Sequence, residues 1–171
     1  MATATTKRAS EGYLLGKDEG DAHWLLGMLE IVKLSGADTG GELGLLEVTV
    51  RKGEGSPWHV HPDEDEWFYV LEGEFTVYVG ERRLSLPAGA FAFGPRGVPH
   101  TFIGETDGAR VLIGFQPFHF EGFLHEVGEP AAERVLPPPL EAPPDMTRLL
   151  PIAERNGMKI LGPPGPPPGQ E

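Results

Sequence analysis

The 171-residue chain contains no cysteine, which excludes disulfide bonds and thiolate metal ligands. Its stability must therefore come from packing, and any metal ion must be held by nitrogen and oxygen atoms. Basic residues are also scarce, with 14 lysines and arginines against 26 acidic residues and a formal net charge of −12. Because such a charge repels phosphate backbones and anionic lipid surfaces, we expect neither nucleic acid nor a membrane as a partner.

Long apolar runs are absent as well. The chain has no run of about 18 apolar residues, which a membrane-spanning helix requires. Its first residues also lack the apolar core of a signal peptide. These absences favour a cytoplasmic protein.

Glycine and proline, by contrast, are abundant, with 24 and 18 residues. This composition is typical of one domain built from many short strands and tight turns, and the chain is long enough to bury a core. Residues 24–34 are apolar and flanked by glycine, which favours a strand. Residues 63–65 are all acidic, which predicts a solvated loop.

Three histidines and a glutamate have the spacing of a metal site. His59 and His61 are two residues apart, so on an extended strand both imidazoles leave the same face. Glu66 opens a β-prone run, and His100 follows a turn rich in glycine and proline. We therefore predict that these four residues bind one divalent transition metal. The ligand set suits Fe, Mn, Ni, Co, Cu or Zn and does not select among them.

Two motifs around these residues resemble those of the cupin family. The first, at 53–73, is Gly, five residues, His-Val-His, four residues, Glu, six residues, Gly. The second, at 89–100, is Gly, five residues, Pro-Arg-Gly, two residues, His, and it is followed by Gly104 where the family usually has asparagine. The resemblance implies a mainly β fold, the double-stranded β-helix or jelly-roll-type barrel, with the metal inside its mouth.

Other segments resemble one branch of this family, the quercetin 2,3-dioxygenase-like cupins. These segments are the loop at 35–41, the strand that leads from it to the first motif, and residues 119–130 and 152–164. Dioxygenases of that branch open the ring of a flavonol and release carbon monoxide and a depside. The resemblance therefore implies an oxygen-using enzyme.

The chain divides into four parts on this basis. We expect a flexible N-terminus at 1–12, the cupin β-barrel at 13–117, a short helical C-terminal arm at 118–162 and a disordered tail at 163–171. The arm contains two predicted helices, at 121–128 and 146–156, joined by a proline-rich connector. The remaining histidines, His23, His119 and His125, lie outside both motifs and are expected to be structural or surface residues.

Four protein ligands on an octahedral ion leave two adjacent positions for a substrate and dioxygen. One carboxylate against a divalent ion leaves a net positive charge, so the site should prefer an anionic oxygen such as an enolate or a phenolate. Glu66 is the predicted catalytic residue, because it lies beside the metal and can accept the proton of the substrate hydroxyl. Phe68, Phe93 and Phe102 are the predicted pocket for a planar substrate.

The residues leave other functions open. A non-catalytic cupin that binds a metal or a small molecule fits the same ligands, and so does a metal-dependent isomerase or decarboxylase. The expected partners are a small-molecule substrate, dioxygen and a second copy of the chain. A homodimer is expected because an open barrel leaves edge strands that need cover.

Overall fold

The computed structural model describes residues 9–167. The outer parts of the predicted flexible N-terminus and disordered tail, residues 1–8 and 168–171, lie outside the described residues. Three helices are present in the described part of the chain: α1 Gly36–Thr39, α2 Phe120–Val127 and α3 Met146–Arg155. The strands of the described part are β1 Asp21–Leu25, β2 Met28–Leu34, β3 Gly44–Val50, β4 Trp58–Val60, β5 Asp65–Glu72, β6 Glu74–Val79, β7 Arg82–Pro87, β8 Phe91–Gly94, β9 His100–Gly104, β10 Ala109–Gln116, β11 Glu129–Pro130 and β12 Lys159–Gly162.

These strands form two antiparallel sheets that face each other across one core. The larger sheet has seven strands in the order β11-β1-β2-β3-β10-β5-β8, and the smaller has five in the order β12-β4-β9-β6-β7. The predicted mainly β, jelly-roll-type fold is therefore confirmed. No helix within residues 9–167 is long and apolar enough to cross a membrane.

The alternation along β5 shows how the sequence fixes the two faces of the larger sheet. Phe68 and Val70 are fully buried in the core, while Tyr69 and Leu71 are exposed on the outer face. Because successive side chains of a strand point to opposite faces, Glu66 shares the inner face with Phe68. Glu66 therefore points into the core, where it is 2% exposed.

The predicted strand at 24–34 is interrupted by a tight turn. Leu25 pairs with Met28, so β1 and β2 form a hairpin whose two-residue turn is Leu26-Gly27. Both turn residues have a positive φ, 50° and 89°, as the favoured type I′ hairpin turn requires. Gly27 adopts this conformation at no steric cost, whereas for leucine it is unusual.

The C-terminal arm packs against the barrel instead of standing apart from it. Buried side chains of α2 and α3, among them Phe123 and Leu149, belong to the same apolar core as the inner faces of the strands. The Asp145 side chain accepts a hydrogen bond from the Thr147 backbone N–H and caps α3. β11 extends the larger sheet beside β1, and β12 extends the smaller one beside β4.

Candidate metal centre

The four predicted ligands come from three neighbouring elements at one end of the core. His59 lies on β4, His61 directly follows that strand, Glu66 is on β5 and His100 begins β9. His59 and His100 are direct partners in the antiparallel pairing of β4 with β9. Register therefore brings together two residues that are distant in sequence, while the two-residue spacing adds His61 to the same face.

The four side chains converge and are all buried. Each offers one ligand atom, and these atoms all lie within 4.8 Å of one another. The Oε2 atom of Glu66 is 2.7 Å from Nε2 of His100, 3.2 Å from Nε2 of His61 and 3.4 Å from Nε2 of His59. The structure thus brings together every residue that the sequence nominated as a metal ligand.

Backbone carbonyl groups orient two of the imidazoles. Nδ1 of His59 lies 2.8 Å from the Pro57 carbonyl oxygen, and Nδ1 of His100 lies 2.9 Å from that of Val98. Because a carbonyl oxygen only accepts, each Nδ1 carries the proton and donates it. The lone pair of each ring is therefore on Nε2, which faces the centre and is ready to bind a cation.

A buried carboxylate, Glu64, lies behind the third imidazole. Its Oε1 atom is 3.0 Å from Nδ1 of His61, and its Oε2 atom accepts the backbone N–H groups of His119 and Phe120 at the start of α2. Glu64 is only 1% exposed. The prediction of a solvated loop is therefore wrong at this position, because the N-terminus of a distant helix supplies the donors that compensate for burial.

The other two acidic residues of that loop behave differently. Asp65 forms a two-pronged pair with Arg96, with Nε 3.1 Å from Oδ1 and Nη2 2.6 Å from Oδ2. The Arg96 side chain is half exposed, so this pair lies at the surface and does not direct a positive charge into the core. Of the three acidic residues only Asp63 is classed as exposed, in agreement with the prediction.

The protonation equilibria of the four residues are strongly coupled. Burial by itself would raise the pKa of Glu66, but the three imidazoles, His100 foremost, outweigh it and hold the pKa well below its ordinary range. Burial and the neighbouring His100 lower the pKa of His59 to about 4. For His61, the carboxylates of Glu64 and Glu66 outweigh burial and raise the pKa to about 9.

The site fits a divalent transition metal. Ligand atoms bound about 2.1 Å from one ion and at right angles to each other lie about 3 Å apart, close to the separations found around Glu66. Nε2 of His61, which faces Glu66, is buried without a hydrogen bond of normal geometry from the described residues. A metal ion at the centre would satisfy this nitrogen, and imidazole with carboxylate suits the ions from Mn to Zn.

An apolar cavity adjoins the candidate ligands. Its volume, measured as the space open to the centres of water molecules, is about 40 Å³. This is room for a few waters or one compact ligand. Its lining includes three of the four candidate ligand residues together with mainly aliphatic and aromatic side chains. The aromatic residues of the lining are Phe102, Phe115, Phe120 and Phe123.

The predicted aromatic pocket needs correction. Of its three members, only Phe102 lines the cavity. Phe68 is fully buried in the core beneath it, with its ring 6.0 Å from that of Phe102. Phe93 is 49% exposed, because β8 pairs with β5 so that Phe93 stands opposite Trp67, on the outer face. Phe115 and Phe120, which stack with ring centres 5.1 Å apart, take its place.

Sequence reasoning missed one more acidic residue of the cavity. Glu30, on β2, is 3% exposed and lines the same cavity as His59, His61 and Glu66. Burial, followed by the negative charge of Glu66, raises the pKa of Glu30 to about 8. Glu30 lies outside both motifs and is not spaced from any of their histidines as metal ligands are. The only sign of its role in the sequence is an acidic residue within a mainly apolar strand.

Two of the remaining histidines lie outside this cavity and close to each other. His23 is buried and His125 is about half exposed, and both contact Asp21, with Nε2 atoms 2.9 and 3.5 Å from its Oδ2. Their rings are 5.2 Å apart. His119 occupies the N-cap position of α2 without a capping bond from its side chain, and its backbone N–H donates a hydrogen bond to Glu64.

Comparison with known proteins agrees with this site. The family model of the cupin domain matches residues 46–114, a range that contains all four candidate ligands. Quercetin 2,3-dioxygenase of Bacillus subtilis (strain 168) is 27% identical over 112 residues, which is 66% of this chain and 33% of that protein. The chain therefore spans a third of the length of this relative.

Solved structures show the same fold. KdgF from Halomonas sp. superposes with a TM-score of 0.56 at 20% identity, covering 63% of this chain and 96% of that one. A predicted oxalate decarboxylase from Thermotoga maritima superposes with a TM-score of 0.57 at 16% identity, covering 62% of this chain and 100% of that one. Fold, site and family match together define the class of the barrel: residues 46–114 form a cupin domain. Within the cupins it resembles the quercetin 2,3-dioxygenase-like branch.

Proposed function

We propose that this cupin is a metal-dependent dioxygenase whose substrate binds as an enolate or a phenolate, as a flavonol-like compound does. The observation that carries the proposal is the convergence of four buried nitrogen and oxygen ligands beside an apolar cavity, which three of the ligand residues line. The likeness to quercetin 2,3-dioxygenase supports the choice of reaction. His59, His61, Glu66 and His100 would hold the metal.

The bound divalent metal supplies a Lewis acid for an anionic oxygen and, when it is redox-active, a route for electrons to dioxygen. Glu66 is the base of the reaction: its carboxylate lies at the centre and takes the proton of the substrate hydroxyl. Phe102 and Phe115 exclude water from the rest of the substrate, which strengthens the electrostatic interactions of the site. Nδ1–H groups held by backbone carbonyls keep His59 and His100 in the orientation that this chemistry needs.

The compact cavity favours a second candidate, a metal-dependent isomerase or decarboxylase acting on a small substrate. The volume of about 40 Å³ suits one ring better than the three rings of a flavonol. No lysine or arginine is found among the described residues that line the cavity, which argues against a dicarboxylate such as oxalate. A small enol or phenol satisfies both the size and the charge of the site.

Oxygen consumption tests the proposal. The protein is loaded separately with Fe, Mn, Ni, Co, Cu and Zn and is mixed with flavonols, catechols, single-ring enols and oxalate in an oxygen electrode. We expect uptake with at least one redox-active metal and an enolic or phenolic substrate, and none with oxalate. Binding of these compounds without oxygen uptake under any metal would contradict the proposed dioxygenase activity. An isomerase or a binding protein would then be the remaining candidates.

We also propose that the working form is a homodimer. β8 is an edge strand of the larger sheet, and it exposes Phe91 by 61% and Phe93 by 49% on its outer face. An edge strand with exposed aromatic side chains is a ready surface for a second copy. Sedimentation of the wild type is expected to give a dimer and sedimentation of Phe91→Glu a monomer; a monomeric wild type would contradict the proposal.

A further inference from the structure

Glu30 occupies an unusual position for an acidic residue. β2 alternates, so Met28, Glu30 and Val32 share the inner face, and both apolar neighbours belong to the main core. Leu29 and Ile31 face the opposite side, where they form a separate small cluster. The Glu30 carboxyl group therefore points into the barrel, where an apolar residue would normally be found.

Nothing in the described part of the protein binds this carboxyl group. Its Oε2 atom is fully buried and has no hydrogen-bond partner. Two cations of the same sheet pair with another acid: Lys33 and Arg110 both contact Glu47. Burial of a polar group without a partner lowers stability, so a carboxyl group without a structural partner points to a ligand.

The position of Glu30 relative to the candidate metal centre suggests what that ligand is. Glu30 and Glu66 line the same cavity, but β3 and β10 lie between their strands in the sheet order. Glu30 therefore reaches the cavity from a strand that carries none of the metal ligands and is separated from the strand of Glu66 by two others. The rest of the cavity lining is mainly apolar and includes Leu46, Val48 and Phe115.

We propose that Glu30 is the second polar anchor of the substrate, binding a hydroxyl group remote from the oxygen that the metal binds. This inference rests on the proposed function, in which an enolate or phenolate oxygen is held at the metal. It narrows the substrate class to compact, planar enols or phenols that carry another hydroxyl group on the far side of the ring. The hydroxyl donates to or accepts from the carboxyl group, which then has the partner that the protein does not provide. The raised pKa of Glu30 agrees, since a neutral carboxyl group can do both.

Two matched probes test the inference without turnover. Kojic acid and allomaltol share a hydroxypyranone ring that binds metals through an enolate, and they differ only in one hydroxyl group, opposite the enol oxygen. Their affinities are measured by calorimetry with the zinc-loaded protein, because zinc has no redox chemistry. The variants are Glu30→Leu, which removes the anchor, and Glu30→Gln, which keeps a hydrogen-bonding group.

We expect the wild type to prefer kojic acid by about tenfold, the usual worth of one hydrogen bond in a buried site. Glu30→Leu should bind both probes equally, with unchanged zinc content and unchanged affinity for allomaltol. Glu30→Gln should retain part of the preference. If Glu30→Leu does not fold, Glu30→Met replaces it, and the wild-type ratio remains informative by itself.

The outcomes separate this inference from the function on which it rests. Equal affinity of the wild type for the two probes, or an unchanged preference in Glu30→Leu, would overturn the role of Glu30 while leaving the metal-bound enolate intact. Failure of both probes to bind, or binding that does not depend on zinc, would overturn the enolate site itself and the inference with it.

Discussion

The Oε1 atom of Glu64 lies 3.0 Å from the Nδ1 atom of His61, a candidate metal ligand. The other oxygen of this carboxylate accepts the backbone N–H groups of His119 and Phe120 at the start of α2. One buried side chain therefore links the metal centre to the C-terminal arm. A carboxylate behind a ligand imidazole fixes the orientation of the ring and makes its other nitrogen a better ligand.

Loss of the Glu64 charge is expected to weaken metal binding. Glu64→Gln keeps an oxygen for the N–H groups of α2 but no longer polarises His61, so the metal affinity should fall about ten- to a hundredfold. Competition with a chelator measures the affinity. Asp63→Asn, an exposed neighbour, is the control and should bind as the wild type does. Equal affinities of the two variants would contradict a role of Glu64 in ordering His61.

The contrast between Glu64 and the four ligands shows what the sequence could predict. His59, His61, Glu66 and His100 were predictable because strand parity and motif spacing are local properties of the chain. The burial of Glu64 depends on donors from a helix more than fifty residues away in sequence. Local composition alone favoured a solvated loop, and only the tertiary contact reverses that expectation.

Substitution of the candidate ligands should separate metal binding from proton transfer. His59→Ala and His100→Ala each remove a ligand and are expected to empty the site. Glu66→Gln should retain partial metal occupancy and lose all turnover, because an amide cannot accept the substrate proton. Metal content and oxygen uptake are measured together, with the exposed His125→Ala as the control. Full activity of Glu66→Gln would refute the acid-base role.

The pKa of Glu30 predicts a pH dependence of stability in the metal-free protein. The pKa rises from an ordinary 4.5 to about 8 through burial and the charge of Glu66. Between these values the folded protein keeps a proton that the unfolded chain has released, so the free energy of unfolding falls as the pH rises. The slope is at most about 1.4 kcal/mol per pH unit, and it flattens above the folded pKa.

The matched variant isolates this contribution. Glu30→Gln cannot titrate at this position. From pH 4.5 to 8 the free energy of unfolding of the wild type should therefore fall relative to that of the variant. Denaturant unfolding at several pH values measures that difference. A difference that stays constant over this range would show that Glu30 titrates normally.

Gly55 is predicted to be essential for the approach of the chain to β4. A Cβ atom at this position would overlap the backbone carbonyl oxygen of Phe102, which cannot move without disturbing β9. Gly55→Ala should therefore lower the free energy of unfolding by about 1–3 kcal/mol, as overpacking does. Gly162→Ala, where a Cβ meets no atom within 4 Å, is the control and should change it little. Equal unfolding midpoints would contradict the close approach.

Two features of the cavity lay beyond the reach of the sequence for different reasons. The sequence predicts Phe93 in the pocket, but its direction depends on the register between β8 and β5, which places it opposite Trp67 on the outer face. The sequence does not predict Glu30 because its role depends on a cavity shared by β2 and β5, two strands that are not neighbours in the sheet order. Neither the pairing partner of a strand nor a shared cavity can be derived from one segment of the chain alone.

The most direct measurement is the location of metal in the purified protein, by elemental analysis together with anomalous scattering from crystals. We expect one divalent transition metal ion per chain, bound by His59, His61, Glu66 and His100. Protein that binds no ion after loading, or an ion held only by the separate group of Asp21, His23 and His125, would contradict the central claim.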